Sequence, residues 1–254
     1  MICKVFKSCS REVLNWITKQ QSVNEESISD WLLYKLSDLE PKINYLGFNR
    51  FEEAATTGAD YELWVIGLPV YYRFRIQAKR LRKGHDHYSS IAYSNRYGLQ
   101  IDKLIKDANI LNYIPLYAFY NEEKQVSRCQ GKVDDEGVYL AMARELYNAV
   151  LLKPKTFIDT AFLIGKSLPI SCWFCCPLIN RTPGGGFLPF LNNYFNLSDY
   201  SEQGQYKVLP FEISNLIQKF RSDNPESIWD FQFDEDYKDL KGIIVIDIEN
   251  ETTD

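Results

Sequence analysis

Thr57-Gly58-Ala59-Asp60-Tyr61-Glu62-Leu63-Trp64-Val65-Ile66 and, a short turn later, Phe74-Arg75-Ile76-Gln77-Ala78-Lys79-Arg80 decide the fold. Each segment is rich in β-branched and aromatic residues, and Gly67-Leu68-Pro69 lies between them, so the pair reads as a β-hairpin. In a hairpin the start of the first strand lies beside the end of the second. Asp60, Gln77 and Lys79 are therefore expected to converge at one edge of a sheet. Gln77 and Lys79 are two apart and share a face. A carboxylate, an amide oxygen and an ammonium grouped in this way can hold a divalent cation and a water beside a phosphate. That is the minimum equipment of a metal-dependent nuclease.

Around the hairpin the apolar periodicity predicts helices over 8–20 and about 23–38, the second opened by the capping-box pattern Ser22-Val23-Asn24-Glu25 and closed by Pro41. Strands are expected at 43–48, 60–66 and 70–79, a helix at 97–109 and an aromatic strand at 114–120. Beyond residue 121 the pattern is weaker. Residues 138–152 read as a helix, or as a strand that becomes one. Residues 157–164 and 211–221 read as helices, and 170–178 and 242–248 as strands. Thr182-Pro183-Gly184-Gly185-Gly186 lacks the Lys-Ser/Thr pair of a phosphate loop.

The motif and the order of these elements resemble the PD-(D/E)XK nuclease superfamily, and the Gln form of the last motif resembles methylation-dependent restriction enzymes of the Mrr type. The run from Thr57 to Lys79, with Tyr97 to Asn121, looks like a bacterial family of unknown function. The resemblance covers roughly residues 22–121. It implies an α/β, restriction-endonuclease-like core, an α-β-β-β-α-β mixed sheet flanked by helices, with a C-terminal α+β extension. Residues 1–125 would form the core with its N-terminal helices, and 126–254 an extension packed on it rather than an independent domain.

The same resemblance implies a site of Glu26, Asp60, Gln77 and Lys79. Asp60, Gln77 and Glu26 would bind Mg²⁺ or Mn²⁺, with the Ala78 carbonyl as a further ligand. Lys79 would orient the attacking water. Glu25, which suits the reciprocal cap, is the alternative to Glu26. Glu62 and Glu53 are further carboxylates, and Gln77 is an uncharged ligand where Glu is commoner. Gln100 and Lys103 on the next helix are candidates to face phosphates, and Tyr88 to stack on a base.

The chain has 254 residues, 45% hydrophobic and 25% charged, with 17 Tyr, 15 Phe and 5 Trp, enough for a sizeable core. No apolar run is long enough to span a membrane. The N-terminus lacks a signal-peptide pattern, and a cytoplasmic location is expected. The net charge of −5 hides an asymmetry: residues 223–254 carry eleven Asp or Glu against two Lys, a local −9 that leaves the remainder at +4. Arg73, Arg75, Lys79, Arg80, Arg82 and Lys83 form a basic run. Arg80, Arg82 and Lys83 are the candidate contacts to a nucleic-acid backbone. Cys172-Trp173-Phe174-Cys175-Cys176 contains one CxxC. Cys129 could add a ligand, but His85 and His87 are distant, and buried thiols explain the pattern better than zinc.

The expected activity is hydrolysis of nucleic acid, DNA foremost, in bacterial restriction or anti-phage defence. A binding module that keeps the nuclease fold without cutting is the alternative. A third reading is a nuclease inhibited by its acidic residues 222–254 until triggered. A homodimer and an activating or regulatory partner protein remain open as partners; a membrane is not expected.

Overall fold

The computed structural model describes residues 2–48, 58–66, 71–81, 91, 94–95, 98–123, 126–127, 135–152, 158–175, 205–220 and 240–248. Glu53, Arg82, Lys83, His85, His87, Tyr88, Cys129, Cys176, the 182–186 loop and most of the acidic segment lie outside them. Two helices come first, α1 (Ile2–Lys19) and α2 (Glu25–Leu39). They are followed by β1 (Ile43–Gly47), β2 (Tyr61–Ile66) and β3 (Tyr71–Leu81). A small ribbon of β4 (Ser94–Asn95) and β5 (Gly98–Leu99) leads into α3 (Gln100–Ile110) and β6 (Ile114–Asn121). Next come β7 (Val138–Met142), α4 (Ala143–Leu152), α5 (Thr160–Gly165), β8 (Leu168–Pro169) and α6 (Ile170–Cys175). The last elements are β9 (Gln205–Tyr206), α7 (Phe211–Phe220) and β10 (Gly242–Asp247).

The chain is α/β, with a mixed sheet in the order β1-β10-β2-β3-β6-β7-β8 and β9 added alongside β3. β2 and β3 pair antiparallel, as the hairpin reading requires, with Tyr61 opposite Ile76 and Glu62 opposite Arg75. β6 runs parallel to β3 after the α3 crossover. Residues beyond 126 contribute β7, β8 and β10 to this same sheet. β10 lies between β1 and β2, antiparallel to the first and parallel to the second.

Alternation of side chains explains the layering. Tyr61, Leu63, Phe74, Ile76, Leu116, Leu140 and Ile244 pack on one face with α1, α2 and α6. Trp64, Tyr117, Phe119, Ala141, Ile243 and Val245 pack on the other with α3, α4, α5 and α7. Strands buried on both faces read as continuous apolar runs, and all residues of β2, β6 and β7 are buried.

Two helix boundaries differ from expectation. α1 begins at Ile2 because Ile2, Phe6, Cys9, Val13 and Ile17 continue one buried stripe. α2 is capped by Asn24, whose side chain accepts from Ser27 N, rather than by a Ser22–Glu25 box, because the Glu25 carboxylate has other partners. α6 replaces the strand expected at 170–178: a short apolar run does not distinguish helix from strand. Cys9 is a buried thiol that burial pushes up to about 11, Cys172 is half-buried against the core, and Cys3 is in a disulfide.

α1 is fixed to β7 at Gly137. Its N–H donates to the Ser10 carbonyl, and Ser10 Oγ accepts from Val138 N at 3.0 Å. A Cβ there would lie 2.4 Å from Leu14 N and 2.8 Å from Ser10 O, both helix backbone. Gly137→Ala should therefore push α1 off the sheet and cost about 1–3 kcal/mol in denaturant unfolding. An unchanged midpoint would show that α1 yields without strain.

Candidate functional site

Strand register places the site residues before any side chain is considered. Tyr61 is opposite Ile76 on β3 and beside Gly242 on β10. One step further along, Lys241, Asp60 and Gln77 form a row across the three strands. The backbone confirms it: Asp60 N donates to Ile76 O at 2.8 Å, and Lys241 N donates to Asp60 O at 2.6 Å. Gly58, at φ +70°, packs against the first turn of α3, where a Cβ would meet Gln100 O at 3.0 Å. That packing brings Gln100 over the row.

Asp60 is buried, and donors engage both its carboxylate oxygens. Oδ2 accepts from Ala78 N at 2.8 Å and from the Gln77 amide. Oδ1 lies 2.5 Å from Lys241 Nζ, which is also 3.0 Å from Glu26 Oε1. Gln77 Oε1 accepts from Gln100 Nε2 at 2.7 Å. Lys79 Nζ is 3.4 Å from Glu25 Oε1, while Glu25 Oε2 accepts from Arg80 N at 3.3 Å. Glu25 and Glu26, adjacent in the first turn of α2, therefore join Lys79 to the row. Their charges also suit the positive end of that helix.

Asp60, Gln77 and Glu26 thus fall in one connected polar cluster, with Lys79 beside it on β3 and paired to Glu25. Lys241 belongs to it and was not identified from the sequence. A lysine ahead of an apolar strand carries no signal until that strand is known to lie beside β2.

Glu62, Arg73, Arg75 and Arg80 play a different part from the one expected, while Arg82 and Lys83 lie outside the described residues. Glu62 is fully buried, 2.9 Å from Arg73 Nε, 3.3 Å from Arg75 Nε and 2.5 Å from Trp64 Nε1. Arg75 also reaches Asp107 at 3.5 Å and the Tyr113 hydroxyl at 3.2 Å. The Arg73 guanidinium lies 3.5 Å from the Tyr113 ring centroid. Arg80 is likewise turned inward. It donates to the carbonyls of Gln21 and Val23, and its guanidinium lies 3.4 Å from Glu122 Oε2. These three arginines are interior ties rather than a solvent-facing strip, because acceptors from neighbouring elements meet each of them.

The described residues contain no group of three or more His, Cys, Asp or Glu that could hold a metal, and no helix long and apolar enough to cross a membrane. The model of a family of unknown function (DUF6615) matches residues 2–247, and the chain belongs to that family. A comparison with curated proteins finds no match.

The interior ties make a stability prediction. Glu62→Ala leaves Arg73 and Arg75 without their shared carboxylate in a dry environment. It should cost about 3–5 kcal/mol of folding stability. A loss under about 1 kcal/mol in urea unfolding would mean that Asp107 and Tyr113 suffice.

Proposed function

We propose that the chain is a metal-assisted phosphodiesterase acting on nucleic acid, DNA foremost, built on a PD-(D/E)XK-like core. The row of Lys241, Asp60 and Gln77, with Lys79 two residues further along the same strand and two glutamates above it, carries this reading. Restriction or anti-phage defence in a bacterial cell is the role the resemblance suggests.

The donor set suits a hard divalent cation. Asp60, Glu26, the Gln77 amide and the Ala78 carbonyl offer only oxygen, and Mg²⁺ is commonly bound through one or two carboxylates plus waters and substrate phosphates. The Lys241 ammonium between Asp60 and Glu26 marks a place where positive charge is already favoured. When bound there, the metal would supply Lewis acidity to the phosphoryl oxygens and to the attacking water.

The chain's own groups have separate tasks in this reading. Asp60 is held rigid by backbone bonds on both sides and carries the negative charge that holds the cation. Lys79, withdrawn from Glu25, would orient the water and offset charge as the water's oxygen bonds to phosphorus and its proton passes to bulk water. The bond from phosphorus to the sugar oxygen breaks, and that oxygen takes up a proton from bulk water. Gln100 fixes the Gln77 amide.

A second reading has one observation in its favour. Donors already engage both oxygens of Asp60, as expected of a module that binds nucleic acid or a protein partner without cutting.

Incubation with Mg²⁺ or Mn²⁺ and duplex DNA, single-stranded DNA or RNA tests hydrolysis directly. Asp60→Ala and Lys79→Ala should each lower cleavage by about a hundredfold or more while the circular dichroism stays native. Wild-type rates in both would remove the site from consideration.

Gln77→Glu separates the two readings. It should preserve or raise cleavage in a phosphodiesterase. In a binding module neither form cuts, and nucleic-acid binding persists without metal.

A further inference from the structure

We propose that Tyr120 is a positioning residue of the candidate site. Acting through Ser29, it sets where the first turn of α2 stands on the sheet, and so where the Glu25 carboxylate meets Lys79. That this meeting matters to chemistry rests on reading Lys79 as the group that orients the water; the positioning itself does not require hydrolysis.

Three hydroxyls form a chain beneath the first turns of α2. Ser29 Oγ is 2.9 Å from the Glu25 carbonyl oxygen and 2.7 Å from the Tyr120 hydroxyl, and that hydroxyl is hydrogen-bonded in turn to Tyr61 on β2. A carbonyl only accepts, so the single Ser29 proton goes to Glu25. Tyr120 must then donate to Ser29, and Tyr61 to Tyr120. The direction of the chain is thereby fixed, and it ends on the backbone of Glu25. All three residues are buried, so bulk water does not compete for their hydroxyls. Burial also raises both phenols above their ordinary value, and each keeps the proton the chain needs.

Sheet register shows why this acts on Glu25. Tyr120 on β6 lies opposite Arg80 on β3. The Arg80 N–H donates to Glu25 Oε2 at 3.3 Å, and the Arg80 guanidinium holds the carbonyls of Gln21 and Val23 just ahead of the helix. One member of the register pair thus holds the loop into α2 and the Glu25 carboxylate. The other holds the Glu25 carbonyl through Ser29. Gripped at both ends, Glu25 presents its Oε1 3.4 Å from Lys79 Nζ.

The apolar face of α2, formed by Ile28, Leu32, Leu33 and Leu36, does not supply this precision. Apolar burial is non-directional and tolerates a slide along the helix axis. A slide of about 1.5 Å, the rise of one helical residue, breaks a hydrogen bond of ordinary length. The hydroxyl chain gives α2 the fixed axial position that its core contacts lack.

The test follows the lysine Cε signals by NMR in the full chain labelled with ¹³C at that carbon, with metal and nucleic acid absent. Lys79 and Lys35 are each identified by the signal missing from their Arg variants, and Glu25→Gln gives the Lys79 signal without the carboxylate. Tyr120→Phe keeps the ring and removes the hydroxyl. It should move the Lys79 signal towards the Glu25→Gln value, and Ser29→Ala should do the same. Neither should move Lys35, whose partner Asp38 travels on the same helix. In a Glu25→Gln background, Tyr120→Phe should move Lys79 no further. An unmoved Lys79 signal in either variant, a shift that persists in the Glu25→Gln background, or an equal shift at Lys35 overturns the proposal. If Tyr120→Phe does not fold, Ser29→Ala decides by the same criteria. Cleavage assays run alongside keep the two ideas apart. Shifted Lys79 signals with no cleavage in any form leave the positioning standing and remove hydrolysis. Cleavage by wild type with unmoved Lys79 signals does the reverse.

Discussion

The pairing of β10 with β2 is the contact on which the rest of the molecule depends. Its register runs over six residues, Gly242 beside Tyr61 through Asp247 beside Ile66, and every side chain of the strand is buried except the last. Among the described residues β10 gives β1 its only pairing in the sheet and gives β2 its second neighbour. The same pairing fixes Lys241 beside Asp60. Apolar burial and the ion pair at the site thus come from one docking event. Gly242 is required because the β1 backbone passes where any side chain would start.

Interior charge is handled in small, nearly balanced groups. Glu62 is set against Arg73 and Arg75, with Asp107 at the far side of Arg75. Asp60 and Glu26 are set against Lys241, and Glu25 against Lys79. Such groups recover in Coulomb attraction and hydrogen bonds much of what desolvation costs, and lose heavily when one member is removed. The difference between them lies in exposure. The Arg75 side chain is 0% exposed, whereas the Glu26 side chain is 44% exposed, so the first group holds the sheet together and the second has water to exchange with.

What the sequence made legible was local. The β2–β3 hairpin could be read from two apolar strands and the turn between them, and with it the closeness of Asp60 to Gln77. The helices α2, α3 and α7 followed from the 3.6-residue period. The place of β10 could not be read, because Gly-Ile-Ile-Val-Ile-Asp announces a buried strand but not its neighbours, and Lys241 remained invisible as a consequence. The arginines misled for a related reason. The basic run along β3 reads as a strip for a nucleic-acid backbone until Glu62, Asp107 and the carbonyls of the α1–α2 loop are brought to Arg73, Arg75 and Arg80 by tertiary structure. The preference for Glu26 over Glu25 rested on a capping box, and Asn24 took the cap, leaving both glutamates in the cluster.

The position of β10 has a consequence for the order of assembly. Its partners, β1 and β2, precede it by nearly two hundred residues, and on a ribosome they emerge long before it. Until residue 247 is available, β10 is missing from between β1 and β2, and Lys241 is not yet beside Asp60. Contacts of such sequence separation are closed late and slowly, and an apolar edge left waiting is a template for the wrong partner. The polar cluster is therefore completed among the last parts of the molecule. An incomplete chain would lack Lys241, the cation that is set against Asp60 and Glu26 in the finished molecule.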